Sequence, residues 1–99
     1  MSREETFLTA TIRTKPGKAS QALSILDELA AASRLESGCR AYNFHQAVDE
    51  PGVIMAWEIW ENDAALEAHF ETAHFQSALA ALEEILEDTP QLCRMRRVI

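Results

Sequence analysis

The side chains with chemistry to offer stand in two stretches, RAYNFHQ (Arg40 to Gln46) and WEIWENDAALEAHFETAHF (Trp57 to Phe75), which hold all three histidines, both tryptophans and the single tyrosine. Two histidines on one helix share a metal ion when they lie at i and i+4, because that spacing keeps them on one face. His69 and His74 are five apart, which is roughly 140° around a helix, and Thr72 is placed to interrupt the helix between them. No metal site is expected from that spacing.

His69 shares an apolar stripe with Leu66 and Phe70. It reads either as a core histidine satisfied by a hydrogen bond, with Glu58 as the partner that would orient the ring and raise its pKa, or as a general base. His74 follows a Thr72 cap, where the helix dipole disfavours an imidazolium. His45 shares a strand face with Asn43, either lining the helix side of the sheet or pointing into a cavity. The candidate bases are therefore His45 and His69. Tyr42, Asn43 and Trp57 are candidate substrate-binding groups, and Glu58, Trp60 and His74 are candidate orienting groups.

Other chemistries lack their residues. There is no Gly-x-Gly-x-x-Gly, P-loop or Gly-x-Ser-x-Gly, and no serine or cysteine in a nucleophile's context, so neither a nucleotide cofactor nor covalent acyl transfer is expected. No cofactor is expected at all. A small domain with internal aromatics and scattered histidines suits a small apolar or aromatic ligand.

The elements that must position these groups fit one domain over 1–99, whose thin core would gain from a partner subunit. The net charge of -7 argues against nucleic acid, since phosphate binding needs clustered Lys and Arg and Arg94, Arg96 and Arg97 are too few. Cys39 and Cys93 form no Cys-x-x-Cys and read as reduced, buried small hydrophobes. No run approaches the length of a membrane span and the N-terminus has no apolar leader segment, so a cytoplasmic protein is expected.

Thr6 to Thr14 alternates as a strand with Leu8, Ala10 and Ile12 on one face, and Ala19 to Ser33 carries helical spacing after the KPGK break. Gly38 suits a left-handed turn before a second strand, Arg40 to Val48, and the DEPG turn leads to a third, Val53 to Trp60. A short helix capped by Asn62 or Asp63 follows, then a helix from Thr72 running to Asp88, then a last strand from Gln91. The order β-α-β-β-α-α-β predicts an α+β fold, a ferredoxin-like antiparallel sheet with helices on one face. Trp57, Met55, Phe44 and Tyr42 cannot all lie under helices, so a second sheet should cover the remainder and make a homodimer. Alternation further places Glu58, Trp60, His69 and Phe70 on the helix side and turns Trp57 toward the second sheet, where it would help line the pocket.

The set SGC-x-x-Y (Ser37 to Tyr42), E-x-W (Glu58, Trp60), AL-x-AH (Ala65 to His69) and T-x-HF (Thr72 to Phe75) resembles the antibiotic biosynthesis monooxygenase family of small dimeric α+β barrel proteins. The resemblance spans nearly the whole chain. It implies the dimeric barrel, and it makes Glu58, Trp60, His69 and His74 family-pattern positions. The family includes cofactor-independent oxygenases of quinols and polyketide rings, haem-degrading enzymes and an isomerase. The haem-degrading branch uses an Asn on the first strand, a Trp near the place of His69 and a His where Leu79 aligns, and this chain has none of them.

Cofactor-independent oxygenation needs a base, a dry pocket and donors for the developing oxyanion. Proton transfer from a phenol to a histidine costs roughly 5 kcal/mol, well inside the about 16 kcal/mol barrier of a turnover near 10 per second. The expected function is oxidation of a small aromatic or quinol-type substrate with O2. The alternatives are a non-catalytic metabolite-binding or stress-associated dimer and an isomerase of the same fold.

Overall fold

The computed structural model describes residues 4–99. Strand β1 (Thr6–Arg13) leads through a turn to helix α1 (Ala19–Ser33), and β2 (Cys39–Gln46) and β3 (Val53–Trp60) form a hairpin. Helices α2 (Asp63–Phe70) and α3 (Ala73–Leu82) follow, and β4 (Gln91–Met95) closes the chain. The sheet order β2-β3-β1-β4, antiparallel throughout, is the expected ferredoxin-like arrangement. Among the described residues no helix is long and apolar enough to cross a membrane.

Both sequence caps form. Asn62 accepts from the Ala65 amide and Thr72 from the Phe75 amide, so the chain turns a corner between α2 and α3 instead of running through as one helix. Helix α3 stops at Leu82, six residues short of the expected Asp88. Glu83, Glu84, Glu87 and Asp88 would crowd the negative end of the helix dipole. The chain instead unwinds and extends β1: Lys15 donates to Ile85 O, Glu87 to Arg13 O, and Thr14 bridges Leu86, burying Ile85 and Leu86.

Register decides which side chains meet. Tyr42 pairs with Glu58 and Phe44 with Ala56, whereas Asn43 pairs with Trp57 and His45 with Met55. Directly paired residues share a face. Tyr42 and Phe44 therefore lie under the helices with Glu58 and Trp60, and Met55 and Trp57 are the remainder left on the other face, as expected of four residues that cannot all be covered. The outer face carries Phe7, Met55, Trp57 and Ile59, with Trp57 41% and Met55 42% exposed.

Gly38 is also corrected. The positive-φ glycine among the described residues is Gly17 (φ 77), in the KPGK turn. Gly38 is needed for closeness: a Cβ there would stand 2.4 Å from the Ala65 Cβ, where α2 crosses the start of β2. Cys93 is exposed and Cys39 half-buried, so neither is the buried hydrophobe expected.

Candidate functional site

A cavity of about 310 Å³ opens between the inner face of the sheet and helices α1 and α3. Leu8, Ala10 and Ile12 form its floor from β1, and Leu26 and Leu29 close one wall from α1. Phe70, Phe75 and Leu82 close the other, and the exposed Leu79 and Leu92 stand among its lining residues. The same alternation that builds the core thus builds the cavity, because small Ala10 and Ala56 stand where larger side chains would fill it.

Two polar side chains face this apolar space at its Tyr42–Glu58 end. The first is Glu58, 3% exposed, whose carboxylate accepts a 2.9 Å hydrogen bond from Trp60 Nε1. Burial pushes its carboxyl up to about 7, against the Trp60 hydrogen bond that favours the charged form and with the Glu36 charge adding to the rise. The second is Tyr42, whose phenol burial holds well above the ordinary range, reinforced by the Glu58 charge.

Behind Tyr42 lies a chain of hydrogen bonds. Tyr42 Oη is 3.3 Å from His69 Nε2, His69 Nδ1 is 2.7 Å from Glu36 Oε2, and the same Glu36 oxygen is 2.7 Å from His74 Nε2. His69 is fully buried, and burial lowers its pKa despite the opposing Glu36 bond and charge, so the ring is neutral at pH 7. An ionised carboxylate only accepts, which places the His69 proton on Nδ1 and leaves Nε2 to accept from the Tyr42 hydroxyl. Trp60 packs on the imidazole at 4.6 Å between ring centroids and Phe75 at 4.9 Å, fixing its plane.

The structure thus brings together Tyr42, Glu58, Trp60, His69 and His74, and leaves Asn43, His45 and Trp57 apart. Asn43 accepts from Arg34 at the rim of β2, and His45 and Trp57 point from the outer face, so Trp57 lines no part of the cavity. The partner expected for His69 was Glu58; Glu36 takes that place, because Glu58 is engaged by Trp60 two residues on. Glu36 escaped sequence reasoning because it sits in the irregular turn after α1. Its only signal was an acidic residue one position before SGC, within a stretch read as a helix end.

Residues 6–81 match the family model described as antibiotic biosynthesis monooxygenase. The chain is 38% identical over 79 residues to the Bacillus subtilis protein named "Putative monooxygenase YcnE", covering 80% of this chain and 83% of that one. It superposes on the crystal structure of PA3566 from Pseudomonas aeruginosa with a TM-score of 0.90 at 33% identity, covering 97% of this chain and 96% of the other. A crystal structure of an antibiotic biosynthesis monooxygenase gives a TM-score of 0.90 at 26% identity, with coverages of 95% and 99%. Sequence match and shared fold agree over the segment that holds the Glu36–His69–His74 cluster and most of the cavity lining, and the chain belongs to the antibiotic biosynthesis monooxygenase family.

Proposed function

We propose that the protein is a cofactor-independent monooxygenase that oxidises a small aromatic or quinol-type substrate with O2, using Glu58 as the base. The observation that carries this reading is a single buried carboxyl, poised at about 7, in a cavity of about 310 Å³ whose lining is apolar apart from Tyr42 and Thr89. A phenol entering the cavity gives its proton to Glu58. The mismatch of about three pKa units costs about 4 kcal/mol, small against the about 16 kcal/mol barrier of a turnover near 10 per second. The new carboxylic acid then donates back to the phenolate oxygen as charge develops.

The phenolate passes one electron to O2, the two radicals combine at the ring carbon, and the resulting peroxide anion takes the proton from Glu58 to give a hydroperoxide and restore the carboxylate. Loss of water from it leaves a carbonyl, so phenol plus O2 gives quinone plus water. One oxygen atom enters the product. The cavity wall excludes water from the radical pair, and the Tyr42 ring, held by His69 behind it, sets the substrate's plane. Of the two candidate histidines, His69 enters the mechanism through Tyr42, and His45 takes no part in it.

Oxygen uptake with a panel of hydroquinones, anthrones and catechols, in chelator-treated buffer, tests the reading. With labelled O2 the product should carry one labelled atom. Uptake no faster than the uncatalysed background across the panel, or two labelled atoms in the product, would rule it out.

The protein acts in this reading as a homodimer through the outer sheet face. The support is Phe7, Met55, Trp57 and Ile59 on the face that carries no helix. At micromolar concentration the chain should sediment as a dimer and Trp57→Asp as a monomer, because the substitution buries a charge at the centre of that face. A folded monomeric wild type would defeat the dimer.

A further inference from the structure

We propose that Glu36, His69 and His74 form a binding site for a divalent transition-metal ion of the zinc class. One ligand atom from each lies within 4.8 Å of the other two. Two imidazoles and a carboxylate are donors that zinc selects, and three protein ligands with a fourth position left to water are a common zinc arrangement. The i, i+5 spacing excludes a shared ion only for two histidines on one continuous helix. The corner at Thr72 puts His69 at the end of α2 and His74 at the start of α3, both turned toward the same carboxylate.

Seating the ion requires Glu36 to withdraw and the two imidazole nitrogens, now within 4.8 Å of one another, to settle about 3.3 Å apart. Both imidazole nitrogens stand 2.7 Å from Glu36 Oε2. Ligands at about 2.05 Å from a tetrahedral zinc lie about 3.3 Å apart, so the carboxylate must withdraw by about 0.6 Å. Glu36 lies in a turn and not in a helix, and its side-chain torsions can supply that movement. The Glu36 and His74 side chains are 15% and 30% exposed, which gives a path from solvent, while buried His69 forms the fixed wall.

Binding also rearranges protons. For His69 Nδ1 and His74 Nε2 to coordinate, each must pass the proton it directs at Glu36 to its other ring nitrogen, and His69 Nε2 then donates to the Tyr42 oxygen. The Tyr42 O–H, still protonated, then turns toward the cavity. The other ring nitrogen of a ligand histidine ordinarily holds such an outer partner, and Tyr42 is already in place. The ion sits behind Tyr42, outside the cavity lining, and takes no part in the oxygenation.

The test uses the whole chain after chelator treatment and dialysis. Calorimetric titration with ZnCl2 should give one ion per chain with a micromolar or tighter Kd, and a Tm higher by several degrees at saturating zinc. CoCl2 should give the visible absorption of low-coordinate cobalt. His74→Ala, at a partly exposed position, and Glu36→Gln should each weaken zinc binding at least tenfold, while His45→Ala should leave it unchanged. Absence of saturable binding to the wild type overturns the proposal. So does binding that survives in both His74→Ala and Glu36→Gln, with folding of each checked by circular dichroism.

Discussion

Glu58→Gln is expected to lower the rate of oxygen uptake by about 10²- to 10⁴-fold while leaving the chain folded, since a positioned general base contributes about that much and an amide of the same shape cannot take the proton. The wild-type rate should rise with pH through about 7 as Glu58 ionises, and that rise should vanish in the variant. Stability supplies an independent reading. The folded-state pKa lies above the ordinary carboxyl value of 4.5, so between about 4.5 and 7 the folded chain binds the extra proton and stability falls as pH rises. Glu58 is almost fully buried, and the shift corresponds to on the order of 3 kcal/mol. Denaturant melts at pH 5 and pH 8 should show the wild type losing on that order relative to Glu58→Gln. Equal pH dependence in the two proteins would place the Glu58 pKa elsewhere, and an unchanged oxygen-uptake rate would remove it as the base.

His69→Ala should cost about 3 to 5 kcal/mol and lower Tm by about 15 °C or more. The substitution opens a cavity among Tyr42, Trp60 and Phe75, and strips Tyr42 and Glu36 of a hydrogen-bond partner at once. The neutral ring also has a pH signature of opposite sign to that of Glu58. Burial depresses its folded-state pKa below the ordinary 6.5, so its contribution is complete above the ordinary value and is lost as pH falls through the depressed one. Thermal melts across pH 5 to 8 measure both effects. If His69→Ala melts like the wild type yet has no oxygenase activity, His69 is itself the base and the positioning role assigned to it fails.

The element order, the caps of α2 and α3 and the corner between those two helices were legible because each depends on local signals: alternation in β1 to β3, a side-chain oxygen before α2 and before α3, a turn between strands. Facing was harder. Alternation separates Trp57 from Trp60 but cannot say which half of β2 joins which half of β3, and that is set by a pairing between distant residues, with a register shift near Arg40. Which pair of β2 lies under the helices, Tyr42 and Phe44 or Asn43 and His45, was therefore open until the pairing was known. Glu58 was legible as a helix-side orienting group but not as a carboxyl with a raised pKa, because that depends on how completely the helices bury it, and Glu36 was missed because a turn has no period to read. The end of α3 was hidden likewise, since the acidic run was visible but its alternative, pairing beside Thr14, joins positions far apart in sequence.

A single carboxylate oxygen at Glu36 ties together the turn after α1, the end of α2 and the start of α3. A fluctuation that lifts any one of the three must break at least one of the two hydrogen bonds meeting there. The backbone amides of Thr72 to Gln76 should therefore exchange with solvent deuterium together with those at the end of α2, on one shared opening rate and not as two independently fraying ends. Glu36→Ala would separate that one exchange event into two, with the α3 start exchanging first.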